Sequence, residues 1–128
     1  MINMDYMLED NMLTASDLLR LRESAGWGSP AVQQIEAGIK NSLFTVVAKY
    51  NDDVIGMGWL VGDGFTICYI QDVIVLPEFQ GKGIGKAIVE RLLKFIKDNG
   101  MSDTHISVGL FSAKGKEGFY QKFGFVTI

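Results

Sequence analysis

The sequence predicts an α/β (α+β) domain whose mixed, mostly antiparallel central sheet carries one parallel β-α-β unit and flanking helices. Three observations lead there. Between Leu43 and Leu76, runs rich in β-branched residues follow one another across short turns, the pattern of antiparallel hairpins. From Ile84 to Asp98 apolar residues recur at the period of an amphipathic helix. His105 to Leu110 then returns to strand character, and a strand–helix–strand passage of this length implies a parallel pair with a right-handed crossover.

Each element has its local reason. Met4 to Leu8 reads as a short first strand. Thr14 stands at an N-cap with Asp17 at the third helical position, and Leu18, Leu19 and Leu21 give the helix an apolar side before Gly26 and Gly28 end it. Ser29-Pro30 is in the favoured N-cap and N1 order for a second helix to about Lys40, with Val32, Ile35 and Ile39 on one face. Leu43 to Tyr50 and Val54 to Val61 form hairpin arms around Asn51-Asp52-Asp53. After Gly62-Asp63-Gly64, the strand Phe65 to Leu76 is nearly all apolar past Tyr69, as expected of a strand buried on both faces. Pro77 ends it by removing a backbone donor.

The next helix places Ile84, Ile88, Leu92 and Ile96 on one stripe, widened by Val89, Leu93 and Phe95, with Lys86–Glu90 and Glu90–Lys94 pairs on the other side. Asn99-Gly100 is a C-terminal stop. Ser112 to Phe123 reads as a weaker helix, interrupted by Gly115 and Gly118, and Phe125 to Ile128 as a short last strand.

Composition bounds the function. A chain of 128 residues with 48% hydrophobic and 21% charged residues fits a single packed domain over residues 1–128. Its apolar runs are too short to span a bilayer, and no signal peptide precedes them, so no membrane partner is expected. The lone cysteine, Cys68, cannot form an internal disulfide and points to a reducing, cytoplasmic setting. A net charge of -3 argues against nucleic acid as a partner. Charge is uneven: residues 1–29 carry five acids (Asp5, Glu9, Asp10, Asp17, Glu23) against Arg20 and Arg22, whereas residues 78–98 are net basic. An anionic ligand would prefer the second region; two solvated faces are the plainer reading.

The chemistry concentrates between the strand ending at Leu76 and the helix starting near Ile84. Gln80-Gly81-Lys82-Gly83-Ile84-Gly85-Lys86 sets three glycines at alternate positions, so the backbone bends tightly and approaches a ligand closely. The loop opens a helix whose first amides lack partners and whose dipole favours negative charge, an anion cradle suited to phosphate. A nucleotide P-loop is excluded, because its first glycine would fall on Gln80 and its hydroxyl on Ala87. The dinucleotide fingerprint fails at Lys86, where its third glycine should stand.

The stretch Ile70 to Gly85 resembles the strand-loop-helix signature, with its Gln-x-x-Gly-x-Gly loop, of the GNAT superfamily of acyl-CoA-dependent N-acyltransferases. A second element, Phe119-Tyr120-Gln121-Lys122-Phe123-Gly124-Phe125, is similar to that family's Phe/Leu-Tyr-x-x-x-Gly-Phe. The two lie in the family's order and separation, and the element order fits from the first residue on. The resemblance implies that acetyl-CoA is the cosubstrate, with no metal, and that an amine attacks its thioester directly. Gln80, Gly81, Lys82, Gly83, Ile84, Gly85 and Lys86 would hold the coenzyme pyrophosphate, and Val73, Ile74 and Val75 would run beside the pantetheine arm. The Val73 N–H would stabilise the oxyanion. Tyr120 would protonate the leaving thiolate, its reference pKa of about 10 keeping it a donor at pH 7.

The proton on the attacking amine needs an acceptor as well. Members that acetylate protein lysines often carry glutamate at the place of Tyr69, so Asp72 and Asp63 are the acids to consider. Asp72 could equally pair within the sheet, and water could relay the proton. Where the family commonly has a pantetheine-binding asparagine this chain has Ala113, leaving Ser112 to supply that bond. Family members also usually continue past Gly-Phe into a last hairpin strand, so either the chain is trimmed or a partner in a homodimer supplies the edge.

Trp27 and Trp59 are candidates for the acceptor pocket or for the core. His105 and Cys68 read as structural. The segments around Trp27 to Ser42, Gly62 to Phe65 and Gln71 to Val73 are similar to members related to serotonin N-acetyltransferases, which implies a small amine; the acidic N-terminal third suits a cation. Acetylation of a protein or peptide amine and a non-catalytic acyl-CoA-binding module are the alternatives.

Overall fold

The structure, a computed structural model, describes residues 5–128. The elements run β1 (Met7–Asp10), α1 (Ala15–Ser24), α2 (Val32–Lys40), β2 (Phe44–Tyr50), β3 (Asp53–Gly62), β4 (Ile67–Val75), a single 3-10 turn (Pro77–Phe79), α3 (Ile84–Asn99), β5 (Ser107–Leu110) and α4 (Glu117–Gln121). The strands form one sheet in the order β1-β2-β3-β4-β5. Its first three pairings are antiparallel and β4–β5 is parallel, as the crossover through α3 requires. No helix among the described residues is long and apolar enough to cross a membrane.

The helices cover both faces of the sheet. Ile84, Ile88, Leu92 and Ile96 of α3 pack on Val46, Leu60, Cys68 and Ile70. Leu18 and Leu21 of α1 and Ile35 of α2 pack on Val47, Met57, Trp59 and Ile74. Each buried leucine or isoleucine contributes roughly 1.5–3 kcal/mol. Helix α3 lies close because Gly58 stands beneath it: a Cβ there would meet Ile88 Cγ2 at 2.6 Å.

Local signals set several boundaries. Thr14 Oγ1 accepts the Asp17 amide at 3.1 Å, so the N-cap read from the sequence holds α1. Asn51 and Asp52 take φ values of 50° and 67°, and the β2–β3 hairpin closes on this two-residue turn. Asp63 accepts amides from Phe65, Thr66 and Ile67, which delays β4 to Ile67 rather than Phe65.

Other expectations need correction. Helix α2 starts at Val32, not at Ser29-Pro30, because Arg22 Nε holds the Gly28 carbonyl at 3.2 Å and the chain stays extended through Ala31. The weak C-terminal helix is confined to Glu117–Gln121, since Gly115 turns at φ +88°. Residues 125–128 form no strand; Gly124, at φ +94°, turns the chain away and Val126 and Ile128 are exposed. His105 is exposed and precedes β5 rather than lying in it. Strand β4 is not buried on both faces: Cys68, Ile70, Asp72 and Ile74 are buried, Tyr69, Val73 and Val75 only half so, and Gln71 is exposed. The strand start proposed at Met4 lies outside the described residues, as do Met1 to Asn3.

Candidate active site

Strand β4 changes character at Gln71. Trp59 faces Asp72 and Leu60 faces Ile70, so Gln71 is an extra residue, a β-bulge that switches which face successive side chains reach. Cys68 and Ile70 therefore point with α3, while Asp72 and Ile74 point with α1. The ladder to β5 ends at Ile70–Leu110. Beyond it, residues 71–75 have no strand partner on that side among the described residues, and the sheet splays open.

A cavity of about 340 Å³ occupies the splay. Its lining includes Val73, Ile74 and Val75 of the open stretch, and Gln80, Gly81, Gly83, Ile84, Gly85 and Lys86 of the loop and α3. Asp72 and Tyr120 complete the set of predicted site residues that the fold brings to one space. Two predicted residues are not among its lining. Lys82 is exposed, and Ser112 Oγ donates to the Ala113 carbonyl at 2.9 Å; Ala113 itself lines the wall.

The loop has the geometry of an anion cradle. Gly81 and Gly83 take φ values of +77° and +83°, conformations that cost other residues about 1–2 kcal/mol. No atom lies within 4 Å of the Cβ position of either, so the space beside them is open. Gly83 is the N-cap of α3, and the first helical bond runs from the Ala87 amide to the Gly83 carbonyl at 3.1 Å. The amides of Gly81 to Lys86 have no backbone acceptor among the described residues, leaving a run of N–H groups at the positive end of a helix of 16 residues. Gln80 Nε2 donates to the Val75 carbonyl at 3.0 Å and fixes the loop to the end of β4.

Across the cavity Tyr120 is half-buried, its ring edge-on to Phe119 and Phe125 at 5.0 and 6.1 Å. Burial pushes its hydroxyl pKa above 10, and the negative charge of Asp72 adds to the shift. Asp72 is only 5% exposed and accepts Arg22 Nη1 on Oδ2 at 2.9 Å. Burial raises its pKa, and the Arg22 guanidinium opposes the rise. The other acid considered, Asp63, is consumed by its turn: hydrogen bonds from Thr66, Phe65 and Ile67 hold its pKa far below the carboxylate range, and it does not line the cavity.

Trp27 lines the cavity with Ser24 and Ala25, whereas Trp59 is a core residue whose Nε1 donates to Ser42 Oγ at 2.5 Å. Phe111 and Lys116 also line the wall and carried no sequence signal, since their approach depends on how far β4 and β5 diverge. None of the five N-terminal acids reaches the cavity, so the acidic N-terminal third does not provide a site for a cation there. Asp10 instead binds Arg91, Asp17 binds Arg20, and Glu9 stands 3.7 Å from Lys49.

Residues 12–125 match the model of the acetyltransferase (GNAT) family. The chain belongs to the GNAT family. An uncharacterized N-acetyltransferase of Pyropia yezoensis is 26% identical over 125 residues, spanning 94% of this chain and 70% of its own length. A probable acetyltransferase of unknown function from meticillin-resistant Staphylococcus aureus superimposes with a TM-score of 0.87 at 33% identity, covering 96% of this chain and 91% of its own. Serotonin N-acetyltransferase 2 (chloroplastic) of Oryza sativa is 36% identical over 64 residues, half of this chain and 30% of the rice protein. The five-stranded mixed sheet with one parallel pair is thus the GNAT acetyltransferase fold.

Proposed function

We propose that this GNAT member transfers an acetyl group from acetyl-CoA to the amine of a small molecule by direct attack on the thioester. The observation that carries the reading is the single cavity shared by the amide-lined glycine loop, the open stretch of β4, Tyr120 and Asp72. In it the coenzyme pyrophosphate takes the free amides of Gly81 to Lys86, with Lys86 adding positive charge. The pantetheine arm runs along Val73, Ile74 and Val75 as an added strand, because that edge of β4 is unpaired.

The amine nitrogen attacks the thioester carbonyl carbon, and the Val73 N–H stabilises the resulting oxyanion. The carbon–sulfur bond then breaks, and Tyr120 donates its proton to the leaving thiolate; its raised pKa keeps that proton in place until the charge develops. Arg22 engages Oδ2 of Asp72, and Oδ1 receives the proton lost by the amine and passes it to solvent. A cytoplasmic setting, supported by the single buried Cys68, and a homodimer, supported by the unpaired outer edge of β5, belong to the same proposal. The similarity to the rice serotonin enzyme supports a small acceptor.

The test is calorimetric binding of acetyl-CoA followed by mass analysis of amines incubated with the complex. Acetylated amine together with free CoA is the expected result. Binding without any acetylated product would make the chain an acyl-CoA-binding module, and acetylated peptide in place of small amine would move the acceptor to proteins.

A further inference from the structure

Arg22 connects three residues. Its Nη1 donates to Asp72 at 2.9 Å, its Nε donates to the Gly28 carbonyl at 3.2 Å, and its Cζ lies 5.4 Å from the centre of the Trp27 ring. The side chain is 18% exposed and stands behind the cavity wall formed by Asp72 and Trp27. Asp72 is the only acid among the described residues that line the cavity, whereas Lys86 and Lys116 are cations there. With Arg22 in place the one negative charge on the wall is already neutralised, and the residues around it, Ser24, Ala25, Trp27 and Gln71, carry no charge.

A second ammonium group on an acceptor would therefore meet no free anion on this wall, only Lys86 and Lys116 as charged neighbours, and taking an unpaired charge even partly out of water is costly. We propose that Arg22 is a specificity-determining, positioning residue that neutralises Asp72 and holds Trp27, so that the site selects monoamines with an apolar body over diamines and polyamines. The inference rests on the acetyltransferase reading given above and names the acceptor class for it.

The decisive comparison uses hexylamine and hexamethylenediamine, which share a carbon chain and differ by the second ammonium. Their affinities for the CoA-loaded protein, by calorimetry, and their kcat/KM values give the same selectivity ratio with and without turnover. The native protein prefers hexylamine by about tenfold or more, the factor that one pKa-unit equivalent of unpaired charge supplies. Arg22→Gln leaves Asp72 uncompensated and narrows the preference about tenfold, with acetyl-CoA affinity unchanged. Arg22→Lys keeps the charge and the preference.

The double variant Arg22→Gln/Asp72→Asn removes both charges and returns the preference to the native value, although its packing is disturbed more than in the single variant. A common loss of rate cancels in the ratio. A native preference for the diamine, an unchanged ratio in Arg22→Gln, or a double variant that stays at the single variant's ratio would each overturn the proposal. Selective amine binding without acetyl transfer would instead count against the catalytic reading while upholding the role of Arg22.

Discussion

Gln80 Nε2 stands 3.0 Å from the Val75 carbonyl oxygen, so the residue that opens the glycine loop is tied to the residue that ends β4. This bond sets the loop's free amides against the open edge of the strand, the two surfaces on which acetyl-CoA is proposed to lie. Gln80→Ala should weaken acetyl-CoA binding about two- to thirteenfold, the range of one neutral hydrogen bond of about 0.5–1.5 kcal/mol. Calorimetric titration checks this, with thermal stability expected to change little.

Gly83 has open space around its Cβ position, so a substitution acts through the backbone, held at φ +83°. Gly83→Ala should cost about 1–2 kcal/mol in the left-handed conformation or reshape the N-terminus of α3. A reshaped helix start lowers acetyl-CoA affinity by roughly an order of magnitude, whereas a retained left-handed turn lowers the melting temperature and leaves affinity near native. Titration and melting of the variant against the native protein distinguish the two.

Gly58 is the opposite case. Its Cβ would meet Ile88 Cγ2 at 2.6 Å and Leu92 Cδ1 at 3.0 Å, inside the packed contact of α3 on the sheet. Gly58→Ala should destabilise the fold by about 1–3 kcal/mol through overpacking. Urea denaturation reports it as a lower midpoint at unchanged slope.

Much of this architecture is legible in the sequence because local chemistry dictates it. The Thr14 cap, the Asn51-Asp52 turn and the stripe Ile84, Ile88, Leu92 and Ile96 each satisfy requirements of their own element. The glycine loop and the Phe119-Tyr120 element likewise mark two walls of one cavity. What sequence reading misses arises from long-range geometry. The bulge at Gln71 reverses which face Asp72 reaches, and only the fold joins Asp72 to Arg22 across 50 residues of chain. The same holds for Phe111 and Lys116, brought in by the separation of β4 from β5. The helix expected over residues 112–123 shortens because Gly115 adopts a turn, a choice that helical spacing alone does not reveal.

Asp63 gives a pH-dependent prediction. Its folded pKa lies below the ordinary carboxylate range because the Thr66 hydroxyl and the amides of Thr66, Phe65 and Ile67 bind the carboxylate. A depressed carboxyl pKa supplies stability that is present above the unfolded pKa and lost as pH falls through the folded one. Asp63→Ala should therefore melt below the native protein at pH 7, with the gap shrinking as pH falls below about 4. Melting curves across that range test the sign.

The central claim is acetyl transfer with Tyr120 as the proton donor to the leaving thiolate, supported by a hydroxyl whose pKa burial and Asp72 push above 10. The most direct measurement is amine-dependent release of free CoA thiol from acetyl-CoA, in the native protein and in Tyr120→Phe. The account predicts release in the native protein and a fall of about 10²-fold or more in kcat in the variant, with acetyl-CoA affinity nearly unchanged. Equal release by both proteins would contradict the role of Tyr120, and release by neither, with acetyl-CoA bound, would contradict catalysis itself.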